Sequence, residues 1–92
     1  MPDGFDLDEV LRALSHADRR RFVMACLDEA KAAGELAGLS ELSLATVSEH
    51  LKVLRKSGLL ILDRSGRFWL YRTDRAVLER AGREVLAMLD SR

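Results

Sequence analysis

The chain has 92 residues, 48% of them hydrophobic and 33% charged, and its 15 basic and 15 acidic side chains cancel to a formal net charge of zero. This is enough for one small core and too short for two domains, and the apolar fraction excludes disorder throughout. No apolar run approaches the ~20 residues of a membrane-spanning helix. The acidic opening MPDGFDLDEV lacks the basic stretch of a secretory signal, and a single cysteine has no intrachain partner, so a reducing cytoplasm is the expected compartment.

Asp6 to Leu14 reads as a first helix, with Asp6 and Glu9 as a capping signal and Leu7, Val10, Leu11 and Leu14 as its apolar stripe. Ser15-His16-Ala17-Asp18 breaks it and caps a second helix expected to run to about Ala33. Phe22, Val23, Cys26, Leu27 and Ala30 form that helix's broad apolar face. Arg19, Arg20 and Arg21 fall in its first turn, where the helix dipole disfavours cations, so at least one should have an anionic partner. A short third helix covers about Gly34 to Ser40, and Glu41-Leu42-Ser43 turns the chain into the next stretch.

That stretch, LSLATVSEHLKVLRKS from Leu42 to Ser57, is the centre of the reading. Ser43 is a good N-cap, because its oxygen accepts a free N–H one turn in. Val47, Leu51 and Leu54 fall at i, i+4 and i+7, one helical stripe, with Leu44 near the same face. At 100° per residue, Ala45, Glu49, Lys52 and Lys56 line the opposite face, with Thr46 and Ser48 at its edges. Gly58 stops the helix. Leu59–Arg64 and Arg67–Arg72 then read as paired strands around a Ser65-Gly66 turn. A final helix begins near Thr73-Asp74 and runs close to the end. The expected fold class is α+β, mostly α: a single winged helix-turn-helix of about five helices with a two-stranded β-hairpin wing.

Charge is unevenly spread along this plan. Residues 1–18 carry five acids against Arg12, whereas residues 43–72 carry six basic residues against Glu49 and Asp63, a local excess of +4. A basic patch is the footprint of phosphate binding even when the whole chain sums to zero. Apolar residues are in surplus at both ends. Val77, Leu78, Ala81, Val85, Met88 and Leu89 wrap more than one side of the last helix, and Leu7, Val10, Leu11 and Leu14 with Phe5 do so for the first. Such a surplus calls for a second copy.

Three segments carry a family resemblance: LRALSHADRRRFVMACL, ELAGLSELSLATVSEHLKVLRKSGLL and DRSGRFWLYR. With them the chain resembles the ArsR-type (ArsR/SmtB) winged helix-turn-helix transcriptional repressors over nearly its full length. The resemblance implies a homodimer joined through Phe5, Leu7, Val10, Leu11 and Leu14 of the first helix and Leu78, Ala81, Val85, Met88 and Leu89 of the last. It implies double-stranded DNA as the partner, bound at a two-fold-related operator. The DNA-facing residues would be Ser43, Leu44, Ala45, Thr46, Ser48, Glu49, His50, Lys52, Arg55 and Lys56, with Arg64 and Arg67 on the wing. This chain departs from the family at Glu41, where a turn glycine is common, and at Leu44, Ala45 and Glu49, where the family often shows Gln, Ser and His. Ala45 suits a thymine methyl and Glu49 a cytosine amino group.

Metal-sensing members place cysteines in the helix-turn-helix or Asp, His and Glu sets on the last helix. This chain has neither, and Cys26, His16 and His50 are expected in three different environments, so no metal site and no cofactor are expected. The effector is not legible. No nucleophile and base arrangement, glycine-rich phosphate loop or acid pair in an apolar setting is present, so the chain is not expected to be an enzyme. The competing reading is a winged-helix module for protein–protein contact, which the zero net charge and Glu49 favour.

Overall fold

The structure is a computed structural model in which residues 4–90 are described. In chain order the elements are α1 (Leu7–Leu14), α2 (Ala17–Ala25), α3 (Ala33–Ala37), α4 (Leu44–Lys56), β1 (Leu60–Ser65), β2 (Phe68–Thr73) and α5 (Arg75–Leu86), with a closing 3₁₀ turn at Ala87–Asp90. Five helices and a two-stranded antiparallel hairpin make the winged helix-turn-helix that the periodicity announced. Each long helix begins at a side-chain cap: Asp6 accepts from the Asp8 N–H at 2.9 Å, Ser43 from Thr46 at 3.2 Å and Asp74 from Ala76 at 3.1 Å.

One apolar core joins them. Val10 and Ala13 of α1, Phe22 and Val23 of α2, and Leu36 of α3 meet Val47, Leu51 and Leu54 of α4, with Leu59, Leu60 and Ala81 closing the hairpin and α5 onto the same centre. Of the three Arg residues at the start of α2, Arg21 has the expected anionic partner in Asp18, and the other two are held by backbone carbonyls. Arg19 and Arg20 donate to the Arg12 and Leu14 carbonyls at 3.2 and 2.6 Å, at the negative end of the α1 dipole. Arg21 bonds the Leu39 carbonyl at 3.2 Å and pairs loosely with Asp18 at 3.6 Å.

Several boundaries move. α2 stops at Ala25 rather than Ala33, because the following segment is pulled out as a partner for the wing. Lys31 and Tyr71 exchange both backbone hydrogen bonds, at 2.9 and 2.7 Å, and the Thr73 N–H and hydroxyl bond the carbonyls of Cys26 and Val23. These bonds outweigh the helical periodicity of Leu27 and Ala30. α3 is Ala33–Ala37 rather than Gly34–Ser40, with the Glu35 carboxylate folded back on the Ala32 N–H at 2.9 Å. Both strands lie one residue later than expected, and Gly66 at φ +60° takes the first position of a two-residue Gly66-Arg67 turn. Glu41 needs no positive φ, since among the described residues only glycines adopt one.

Two residues assigned to the dimer contact are corrected by burial. Val10 is fully inside the protomer core and Ala81 nearly so, so neither side chain is offered to a partner. The same apolar stripes hold the protomer together, and a sequence does not mark which member of a stripe faces inward. Phe5, Leu7, Leu14 and Leu78 pack partly against the core. Leu11 is exposed, and Leu86, Met88 and Leu89 are 65%, 61% and 71% exposed.

Gly58 ends α4 at φ +88°, and a methyl group built there would meet Val77 Cγ2 only at 3.7 Å, an ordinary contact. Gly58→Ala should therefore cost ~1–2 kcal/mol through backbone strain alone, read as a lower urea midpoint with an unchanged slope. A loss above about 4 kcal/mol would mean that packing, not φ, sets this position.

Candidate nucleic-acid interface

α4 has one buried stripe and one open face. Val47, Leu51 and Leu54 are essentially inaccessible, while Ser43 to Thr46, Ser48, Glu49, Lys52, Arg55 and Lys56 are exposed. Leu44 was expected near the apolar stripe by helical angle; instead all of residues 43–46 are exposed, so the first turn lies outside the packing and Leu44 is 56% exposed. The Ser43 hydroxyl is committed locally, donating to Thr46 Oγ1 at 3.0 Å while capping the helix.

His50 is the main correction to the DNA-facing set. It is only 8% exposed and turns into the protein, where its Nδ1 accepts a hydrogen bond from Arg19 Nε at 3.1 Å. That bond requires a lone pair on Nδ1, so the ring is neutral with its proton on Nε2. His16 lies 4.4 Å away, ring centre to ring centre, and its own Nδ1 accepts from the Asp18 N–H at 3.2 Å to cap α2. The two histidines are therefore neighbours, not residents of separate environments. His16, Asp18 and His50 each offer a ligand atom, all within 4.8 Å of one another. The Arg19 guanidinium and the Asp18 amide already use one lone pair on each ring, and the guanidinium opposes a cation electrostatically. As it stands, the cluster ties the start of α2, through Arg19, to both the end of α1 and the middle of α4.

Burial, followed by the electrostatic influence of His16 and Arg19, pushes His50 below the ordinary histidine value of 6.5; Asp18 pulls the other way and loses. Cys26 is buried too, and desolvation pushes its thiol up to about 11, so it is protonated and weakly nucleophilic at neutral pH.

The cations of the patch are engaged to different degrees. Lys52 lies 3.4 Å from Glu49 and Lys56 3.8 Å from Glu9, both loose surface pairs worth little against solvent. Arg72 pairs across the strands with Asp63 at 2.8 Å. Among the described residues Arg55 and Arg67 have no ion pair. Arg64 lies over the Trp69 ring, 4.3 Å from its centre, a cation–π contact. Sequence reasoning missed this partner through the turn. A Ser65-Gly66 turn would set Arg64 against Arg67, whereas the actual register sets Arg64 opposite Trp69. Phe68 and Trp69 stand exposed on the wing beside the two arginines.

A helix anchored on one face and open on the other, next to a basic hairpin, defines a DNA-binding module of the winged-helix class. The family model described as "Helix-turn-helix domain" matches residues 14–63, more than half the chain. The chain is similar in structure to an ArsR-like transcriptional regulator from Rhodococcus sp. RHA1, with a TM-score of 0.82 and 26% identity over 92% of this chain and 80% of that one. It is similar to HlyU from Vibrio cholerae N16961, with a TM-score of 0.69 and 27% identity over 91% and 90% of the two chains. It also resembles the cadmium metal-sensor CMTR from Mycobacterium tuberculosis, with a TM-score of 0.67 and 33% identity over 85% and 81%. No curated protein sequence matches the chain. The chain belongs to the ArsR-type winged helix-turn-helix family and is a DNA-binding transcriptional regulator, not an enzyme. Among the described residues no helix is long and apolar enough to cross a membrane.

The lowered His50 value has a signed consequence. Above pH 6.5 the ring is neutral folded or unfolded, and its stabilising share is fully present. As pH falls the unfolded chain takes the proton first, so that share is lost from about pH 6.5 down through the lower folded value. Wild type should lose more stability between pH 7.5 and 5 in urea titrations than His50→Gln, whose amide oxygen can still accept from Arg19. Equal pH slopes in the two proteins would remove His50 as the source.

Proposed function

We propose that the chain is a homodimeric, sequence-specific repressor that binds an imperfect inverted-repeat operator without a metal or dithiol switch. The observation that carries this reading is the division of α4 into a fully buried stripe and an exposed face. Leu44 and Ala45 present apolar groups suited to thymine methyls, Glu49 an acceptor suited to a cytosine amino group, and Ser48 and Lys52 the adjoining polar contacts. Thr46, Arg55 and Lys56 reach the phosphates, and the free N–H groups behind Ser43 favour an anion at the same end. His50 acts by holding α4, not by touching DNA. The buried single thiol and the Arg19-occupied histidine cluster support the absence of a metal response. The cadmium sensed by the relative from Mycobacterium tuberculosis is accordingly not carried over.

On the wing, Arg67 is available to the flanking backbone, and Trp69 holds Arg64 extended beside it. Replacing both arginines by Ala should leave the fold intact and weaken binding to all sequences alike. The log–log salt slope should fall by roughly 2, because each phosphate contact releases condensed counterions. An unchanged slope at normal affinity would take the wing out of the interface. Purely salt-insensitive binding of the wild type would favour the protein-contact reading instead.

The dimer rests on the exposed Leu11, Leu86, Met88 and Leu89, with Phe5, Leu7, Leu14, Leu78 and Val85 at their margins. Pairing α1 and α5 about a two-fold axis covers this surface isologously and turns both α4 helices to one side of a duplex. Half-sites should lie about 10 base pairs apart, ~34 Å, or a multiple of that. Val85→Glu with Leu89→Glu should sediment as a monomer, lose specific binding and keep a weak, salt-sensitive attraction to DNA. A wild type that sediments as a monomer at micromolar concentration, or that protects one unrepeated half-site, contradicts this assembly.

A further inference from the structure

A cleft of about 770 Å³ opens between the C-terminal half of α4, the first half of β1 and the N-terminal half of α5. Its volume falls within the ~300–1,000 Å³ of small-molecule sites. The floor is apolar: Leu60, Ile61 and Leu62 of β1 line it, and Val77 of α5 and Phe5 complete it. The rim is cationic. Lys52, Arg55 and Lys56 line one wall and Arg80 the other, against Asp74 as the sole lining acid among the described residues, whose carboxylate is occupied by the Ala76 N–H. Arg80 lies 4.2 Å over the Phe5 ring and bonds Glu84 at 3.0 Å, while among the described residues Lys52 and Lys56 have only the loose pairs with Glu49 and Glu9. Exposed pairs of that kind yield readily to a better anion.

We infer that this cleft binds an amphipathic organic anion, a carboxylate on an aliphatic or aromatic body, as the effector that releases DNA. The carboxylate is taken by Arg55 and Lys56 and the body lies on Leu60, Leu62 and Val77. An apolar floor ringed by cations rewards both halves of such a molecule and neither an inorganic anion nor a neutral hydrocarbon alone. Release is by direct competition, because Lys52, Arg55 and Lys56 are the side chains assigned to DNA; this part rests on the proposed function. The lining of α5 is its first half, apart from the exposed tail at Leu86, Met88 and Leu89 that the proposed dimer covers.

The probes are octanoate, octan-1-ol and inorganic phosphate, added to the full-length ¹⁵N-labelled protein. Octanoate should shift the Leu62, Ala76 and Val77 amides saturably, octan-1-ol should bind at least ~10-fold more weakly, and phosphate should not saturate the same amides. Ala76 is exposed at the mouth, so Ala76→Trp should occlude the cleft and weaken octanoate at least ~10-fold while keeping the wild-type DNA affinity. Val77→Phe fills the site from below and checks the same loss if the first variant misfolds, as judged by amide dispersion. Octanoate should displace DNA from the wild type and not from Ala76→Trp. Saturable shifts confined to Leu11, Leu86 and Leu89, equal affinity for octan-1-ol, or equal displacement of DNA from both proteins would each overturn the inference. If the wild type bound no DNA at all, the proposed function would fall, and the amide shifts would still decide the cleft.

Discussion

The burial of Val47, Leu51 and Leu54 is the constraint on which the remaining structure depends. These three side chains lie on one line of α4 and are removed from water by α1, α2, α3 and the start of the hairpin. At about 25 cal/mol per Å² of apolar surface, rotating the helix by even a quarter turn would forfeit several kcal/mol. The exposed face is therefore whatever that stripe does not use. The proposed recognition face is a by-product of packing: Ala45, Ser48, Glu49 and Lys52 are exposed because their neighbours are buried.

Polar ties refine this arrangement. Arg19 reaches the end of α1 with one nitrogen and His50 of α4 with another, so three helices are registered by one guanidinium. Thr73 and Lys31 do the same for the wing, tying β2 back to the segment after α2. The bonds to His50 Nδ1 and to the Val23 carbonyl satisfy acceptors that would otherwise be buried at a cost. Among the described residues no buried side-chain nitrogen or oxygen lacks a partner. Arg19 and Arg20 at the start of α2, which look misplaced beside a positive helix end, are thus stabilised by the negative end of α1.

The cleft shares Lys52, Arg55 and Lys56 with the proposed DNA face, and the inferred effector would control binding economically. A regulator of this size has little interior through which a distant site can act. An effector placed against the same cations, as inferred above, would need no conformational relay, and coupling would follow from mutual exclusion. The single thiol of Cys26 is buried in the core, and His50 of the histidine cluster is tied to α2 through Arg19.

Periodicity, caps and glycine punctuation in the sequence alone determined the winged helix-turn-helix, the centre of α4, its N-cap at Ser43, its stop at Gly58 and the basic character of α4 and the hairpin. These are local properties, set within one or two turns of chain. Tertiary structure alone decided the rest. α2 stops at Ala25 because Lys31 is needed by Tyr71, forty residues away in sequence, and no local pattern signals that bond. His50 is withdrawn from the DNA face because Arg19 and His16 are waiting beneath it. Val10 and Ala81 face inward while Leu11 and Leu89 face out, a choice made by the surrounding elements and not by the helices that carry them. A one-residue shift of the turn moved Arg64 from Arg67 to Trp69, because strand register is fixed by pairing partners and not by composition.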